Sequence, residues 1–147
     1  MAADTPTIHA SAVLIGPKAA LICGPSGAGK SKLAWQILHS ALPFTRLVGD
    51  DRLRAEARSG RLLLRPAGTL AGLIEMHGLG VRRVPHEPLA VAGYIVDLAA
   101  ADAERLPPEQ AQKAVISGVT LPRLAIAAGA DALQIMLAFL GTVAGGH

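Results

Sequence analysis

The chain has 147 residues, enough for one domain whose core needs no staples and too few for a second, independent substrate domain. Hydrophobic residues make up 51% and mean hydropathy is +0.41, yet Gly, Pro or a charge cuts every apolar run short of the ~18 residues of a membrane helix, so no membrane span is expected. The net charge of +3 does not by itself require nucleic acid, and the lone Cys23 excludes an internal disulfide.

Residues 1–10 lack a basic n-region and a long apolar h-region, so no secretory signal is expected; with one cysteine, this predicts a cytoplasmic protein. Val13 to Ile15 and Ala19 to Cys23 read as two short strands around the turn Gly16-Pro17-Lys18. Gly24, Pro25, Ser26, Gly27, Ala28, Gly29, Lys30 and Ser31 follow, a complete match to G-x-x-x-x-G-K-[ST]. From Lys30 onward Leu33, Ala34, Ile37, Leu38 and Ala41 recur at helical spacing until Pro43. The motif therefore stands between a strand and a helix, where its glycines let backbone N–H groups turn inward around an anion and the helix N-terminus adds partial positive charge. Lys30 would reach the β- and γ-phosphates of a nucleoside triphosphate, and the Ser31 hydroxyl would ligate Mg²⁺.

Leu47-Val48 is the next apolar strand, and Asp50-Asp51 close it about twenty residues after the phosphate loop. Two readings stay open here: a strand-end turn with two solvated aspartates, or two carboxylates that divide labour. In the second, one lies near Mg²⁺ and one takes a proton from an incoming hydroxyl. Ser59-Gly60 predicts a hairpin into Arg61 to Leu64. Six arginines (Arg46, Arg52, Arg54, Arg58, Arg61 and Arg65) cluster here with no aromatic residue among them, which makes a poor stacking platform for nucleic-acid strands; a solvated face competes with an acidic partner or phosphate groups. Leu70 to Met76 and Leu89 to Leu98 read as strands separated by an irregular stretch from His77 to Pro88. Pro107-Pro108 predicts a short helix through Ala114, and Val119 to Ile126 is extended around Pro122. A last helix is expected from about Asp131 to Leu140, burying Leu133, Met136, Leu137 and Leu140. His39, His86 and His147 lack metal-ligand spacing and read as surface residues; Cys23 reads as a buried small apolar residue, and Trp35 as core or interface.

The absence of asparagine excludes the Asn-Lys-x-Asp guanine reader of GTPases. In order, His9, the loop GPSGAGKS, Leu-Val-Gly-Asp-Asp and the segment Glu75-Met76-His77-Gly78-Leu79-Gly80-Val81 resemble the catalytic domain of HPr kinase/phosphorylase. That family's signature runs Glu-x-Arg-Gly-x-Gly, and the resemblance extends from about His9 to Ile126. It implies one α/β P-loop domain with a mixed central sheet, related in fold to phosphoenolpyruvate carboxykinases, in a short form without the family's extra N-terminal domain. It also implies an ATP- and Mg²⁺-dependent kinase that phosphorylates a serine of the phosphocarrier HPr, with reverse phosphorolysis as a second activity.

By the same resemblance the phosphate loop binds ATP, Ser31 and Glu75 ligate Mg²⁺, and Asp51 accepts the serine proton with Asp50 beside it. Lys30 and His9 match further active-site positions. Arg105 lies where the family has a catalytic arginine, and Arg123 lies in the region of its dephosphorylation loop as a candidate phosphate contact. The chain departs from the family at His77, which replaces the signature arginine, and around Arg123, where the usual glycine, arginine and asparagine run is missing. Relatives form hexamers, which leaves self-assembly open here. The alternative function is a nucleotide-dependent regulatory binding module with little transfer activity.

Overall fold

The computed structural model describes residues 6–143 and 145. Its architecture grows from β9 (Ala90–Leu98), an almost uninterrupted apolar run of the kind that strands buried on both faces require. Parallel to β9 on one side lies β3 (Lys18–Cys23). The other edge of β9 is shared. Ala90 and Val91 pair antiparallel with β6 (Arg61–Pro66), whereas Ile95 to Leu98 pair parallel with β11 (Val119–Ile126). The sheet therefore forks at β9.

Beyond β3 come β2 (Ser11–Ile15) and β4 (Thr45–Gly49), and beyond β6 come β5 (Leu53–Arg58) and the short β1 (Thr7–Ile8). With β10 (Lys113–Ile116) paired to β11, the described residues form a mixed nine-stranded sheet. The hairpin of β7 (Leu73–Met76) and β8 (Gly80–Arg83) stands apart as a second, two-stranded sheet. Helices α1 (Lys30–Leu38) and α2 (Ala132–Gly141) complete the fold.

Alternation along the central strands sends side chains to two cores. Ala19 and Leu21 of β3 join Leu53, Leu62, Leu64 and Ile95 on one face, where the sheet curls over itself. Ala20 and Ile22 join Leu33, Ile37, Val96, Ile126 and Met136 on the other, beneath the two helices. Fully burying a leucine or isoleucine is worth about 1.5–3 kcal/mol, so the second core is what holds α1, and the loop before it, against the sheet.

Several expectations need correction. The stretch expected to be irregular after His77 contains β8, because Gly78 at φ +88° reverses the chain and lets Glu75 pair with Val81. Helix α1 stops at Leu38, where the His39 amide donates to the carbonyls of both Trp35 and Gln36 and the helix closes ahead of Pro43. The helix expected through Ala114 is one 3-10 turn, Glu109–Gln112, after which Lys113 pairs with Pro122 in β10. On α2 only Met136 is fully buried; Leu137 and Leu140 are exposed, because the helix packs chiefly on α1 and sends Met136 alone into the interior of the core that holds Tyr94 and Ile126. Cys23 is half-buried rather than buried, with burial and then Asp97 pushing its thiol up to about 11. His39 and His86 are exposed as expected, while His147 lies outside the described residues.

Candidate active site

Strands β3, β9 and β11 run parallel and end at the same edge, where crevices form in parallel sheets. The loop 24–31 leaves β3 there. A substitution at Gly24 is strained, since a Cβ on it would stand 3.0 Å from the Leu98 carbonyl oxygen and 3.1 Å from the Leu98 Cβ at φ +148°. Gly29, at φ +100°, then turns the chain into α1, whose N-terminus carries neither a capping side chain nor an acidic residue in its first turn. The helix end thus presents partial positive charge to the loop, with the buried Asp50 carboxylate reaching it only through the Ser31 hydroxyl. Lys30 folds back over the loop and donates from Nζ to the carbonyls of Gly24 at 2.9 Å and Pro25 at 3.2 Å. It is buried, and no carboxylate lies within ion-pairing distance among the described residues.

Ser31, one residue further, donates from Oγ to Asp50 Oδ1 at 2.7 Å. The same oxygen accepts from Ser11 Oγ at 2.8 Å, and Asp50 Oδ2 takes a long bond from the Glu75 amide at 3.5 Å. Asp50 is consequently buried and fully engaged. Asp51 is not. Its backbone turns left-handed at φ 67°, a conformation aspartate tolerates, and its amide donates to Ser11 Oγ at 3.0 Å. Its exposed carboxylate faces a cavity of about 590 Å³, also lined by Ser26, Gly27, Gly29, Lys30, Ser31, Glu75 and His77. His9 Nδ1 lies 3.9 Å from Asp51 Oδ1. Arg52 Nη2 sits 2.9 Å from His9 Nε2, and because a guanidinium only donates, Nε2 accepts and Nδ1 carries the proton that faces Asp51.

The oxygens of Ser31 and Glu75, both lining the cavity, suit a hard cation that takes few protein ligands and fills its shell from phosphate and water, as Mg²⁺ does. No group of three His, Cys, Asp or Glu that could hold a metal by itself occurs among the described residues.

The structure brings Lys30, Ser31, Asp50, Asp51, Glu75 and His9 together and leaves two expected residues elsewhere. Arg105 is exposed on the segment after β9 and lines neither cavity. Arg123, expected to be available to phosphate, is instead a clamp. Its guanidinium donates to Asp97 Oδ2 at 2.8 and 3.1 Å, to both Asp102 oxygens at 2.9 Å and to the Ala111 carbonyl at 3.0 Å. Bonding to Asp102 first, and then to Asp97, raises its proton affinity further. Sequence reasoning passed over Ser11, which reads as filler in an apolar strand, and Arg52, which reads as one of a surface cluster. Neither carries a local signal; each acts through a partner about forty residues away.

No protein-family model and no curated protein matches the sequence. Among solved structures, the Hpr(Ser) kinase/phosphatase from Coxiella burnetii superposes with a TM-score of 0.73, covering 89% of this chain and 91% of that one at 19% identity. At that identity the likeness shows the fold: this chain has the curled, mixed-sheet α/β fold of the HPr kinase catalytic domain, in agreement with the resemblance its motifs carry.

Proposed function

We propose that this protein is an ATP- and Mg²⁺-dependent kinase that phosphorylates a serine on HPr or an HPr-like carrier protein. The observation that carries this reading is the different environment of two adjacent carboxylates. Asp50 is buried and occupied by Ser31 and Ser11, while Asp51 is exposed and lines the cavity. A site that only hydrolysed nucleotide needs one such carboxylate; a second, exposed one suits the removal of a proton from an incoming hydroxyl.

In this reading the loop amides, the N-terminus of α1 and Lys30 bind the triphosphate and stabilise charge as it shifts toward the leaving oxygen. Ser31 and Glu75 would hold Mg²⁺, which when bound neutralises charge on the β- and γ-phosphates. Asp51 takes the proton of the serine hydroxyl as its oxygen bonds to the γ-phosphorus and the bond to the β,γ-bridging oxygen breaks, releasing ADP. His9 stands beside this base, with Nδ1 3.9 Å from Asp51 Oδ1.

The experiment is incubation of the purified protein with MgATP and an HPr-type carrier, read by mass spectrometry for phosphoserine. Phosphoserine is expected; none, with nucleotide binding intact, would sink the proposal in favour of a binding module. Adding inorganic phosphate to the phosphorylated carrier tests phosphorolysis in the same mixture, with pyrophosphate as the expected product.

A further inference from the structure

The chain has 14 lysines and arginines against 11 aspartates and glutamates, and the β5–β6 hairpin alone accounts for the net charge of +3. Arg54, Arg58, Arg61 and Arg65 stand there against Glu56, so basic and acidic residues balance in the rest of the chain. The strand register sets Arg54 directly opposite Arg65 and Arg58 directly opposite Arg61. Like charges so placed destabilise a sheet, and Glu56 compensates only in part, by accepting from Arg58 Nη2 at 2.7 Å. Alternation puts all five side chains on the face turned away from the core leucines Leu53, Leu62 and Leu64, with Arg58 and Arg61 exposed at its free end. The other end leads to the active site. Thr7 of β1 pairs with Arg54, and Arg52 donates from Nη1 to Thr7 Oγ1 at 3.4 Å while its Nη2 meets His9. His9 in turn stands beside Asp51, which lines the same cavity as the phosphate loop.

We propose that the outer face of the β5–β6 hairpin docks an acidic surface of the protein substrate and so delivers its serine to Asp51. The proposal rests on the reading that this chain phosphorylates a carrier protein. All four cations are arginines, whose planar guanidinium pairs with a carboxylate through two parallel hydrogen bonds; a face that served solubility alone would gain nothing from that fork. Between Arg61 and Arg65 lies Leu63, and directly opposite it on β9 lies Val91, both half-buried. An apolar centre rimmed by arginines is the layout of a protein–protein contact. The hairpin has no aromatic ring to stack on a nucleic-acid base, and its tip, Ser59-Gly60, offers no large apolar side chain to a membrane. Each strand has six residues, which gives the face a length of about 20 Å, room for several ion pairs with one partner.

Steady-state phosphorylation of an HPr-type carrier by wild type and by the double variant Arg58→Glu/Arg61→Glu tests this. The variant again opposes like charges across the strands at two exposed positions, so the fold meets the same kind of repulsion as before. At about 50 mM NaCl its KM for the carrier is expected to rise about tenfold or more, with kcat and the KM for MgATP within about twofold of wild type. At about 500 mM NaCl the difference in carrier KM should shrink to about threefold or less, because salt screens exposed pairs. Arg58→Lys/Arg61→Lys keeps both charges and should hold the carrier KM within about threefold of wild type. A carrier KM unmoved by charge reversal overturns the inference and leaves the proposed kinase standing. Binding of duplex DNA, or of phosphatidylserine–phosphatidylcholine vesicles, that charge reversal abolishes while the carrier KM holds also overturns it, and assigns the face to that polyanion. No phosphoserine from the wild type, with MgATP binding intact, removes this inference and the proposed function together.

Discussion

Asp50 accepts hydrogen bonds from Ser31 and Ser11 in the interior, whereas Asp51 meets the cavity with an exposed carboxylate. This difference sets separate outcomes for substitutions one residue apart. Asp51→Asn is expected to abolish phosphoryl transfer and spare MgATP affinity, since the amide cannot take a proton; wild-type transfer by that variant removes Asp51 from the base role. Ser11 serves both aspartates, donating to one side chain and accepting from the other's amide. Ser11→Ala leaves the Asp51 amide unpaired beside a buried carboxylate, with an expected cost of about 1–3 kcal/mol in urea unfolding; Ser11→Thr keeps the hydroxyl and should recover most of it. Arg52 is exposed, so Arg52→Ala should change stability by less than about 0.5 kcal/mol. Its expected effect is instead on His9, whose proton is freed to move from Nδ1 to Nε2. Long-range ¹H–¹⁵N spectra read this directly, and Arg52→Lys, another donor-only cation, should retain the Nδ1–H form.

At the level of elements, Arg123 joins three pieces of the chain: β9 through Asp97, the following segment through Asp102, and the 3-10 turn through Ala111. The hydrogen bond from Arg123 holds the Asp102 carboxyl below its ordinary value of 3.8. A carboxylate depressed in the folded state adds stability above the unfolded-state value, and that stability is lost as pH falls through the folded-state value. Arg123→Gln should therefore lower the melting temperature by a constant amount above about pH 5, with the gap to wild type narrowing below about pH 4. A gap that is unchanged down to pH 2 would show that the clamp is not electrostatic. Because the clamp fixes both ends of the segment carrying Arg105, the same variant should increase amide exchange across residues 100–111.

For the whole molecule, the phosphate loop is held through α1 by the core beneath the helices, and ligand bound there stabilises only the folded chain. At a MgATP concentration a hundred times its dissociation constant the gain is about 2.7 kcal/mol, which in a chain of this size raises the melting temperature by roughly 5–10 °C. Lys30→Ala should remove most of that shift; a full shift in the variant would mean that the nucleotide binds elsewhere. No helix among the described residues is long and apolar enough to cross a membrane, in keeping with the interrupted apolar runs of the sequence.

The sequence by itself determined those features that a few neighbouring residues can encode. The β2–β3 hairpin, the glycine-framed loop ahead of α1, the β5–β6 hairpin at Ser59-Gly60 and the Asp131 cap of α2 each follow from spacing, turn chemistry or capping within about ten residues. Tertiary structure decided what depends on partners distant in the chain. The fork at β9 requires β6 and β11 to share one strand edge, and no local periodicity encodes that sharing. Spacing alone did not separate Asp50 from Asp51; Ser11, on the neighbouring strand β2, made one a buried anchor and left the other to the cavity. Arg123 was legible as a cation, but two aspartates 26 and 21 residues upstream turned it from a candidate phosphate ligand into a clamp, because a guanidinium whose donors are already bonded has none left to offer.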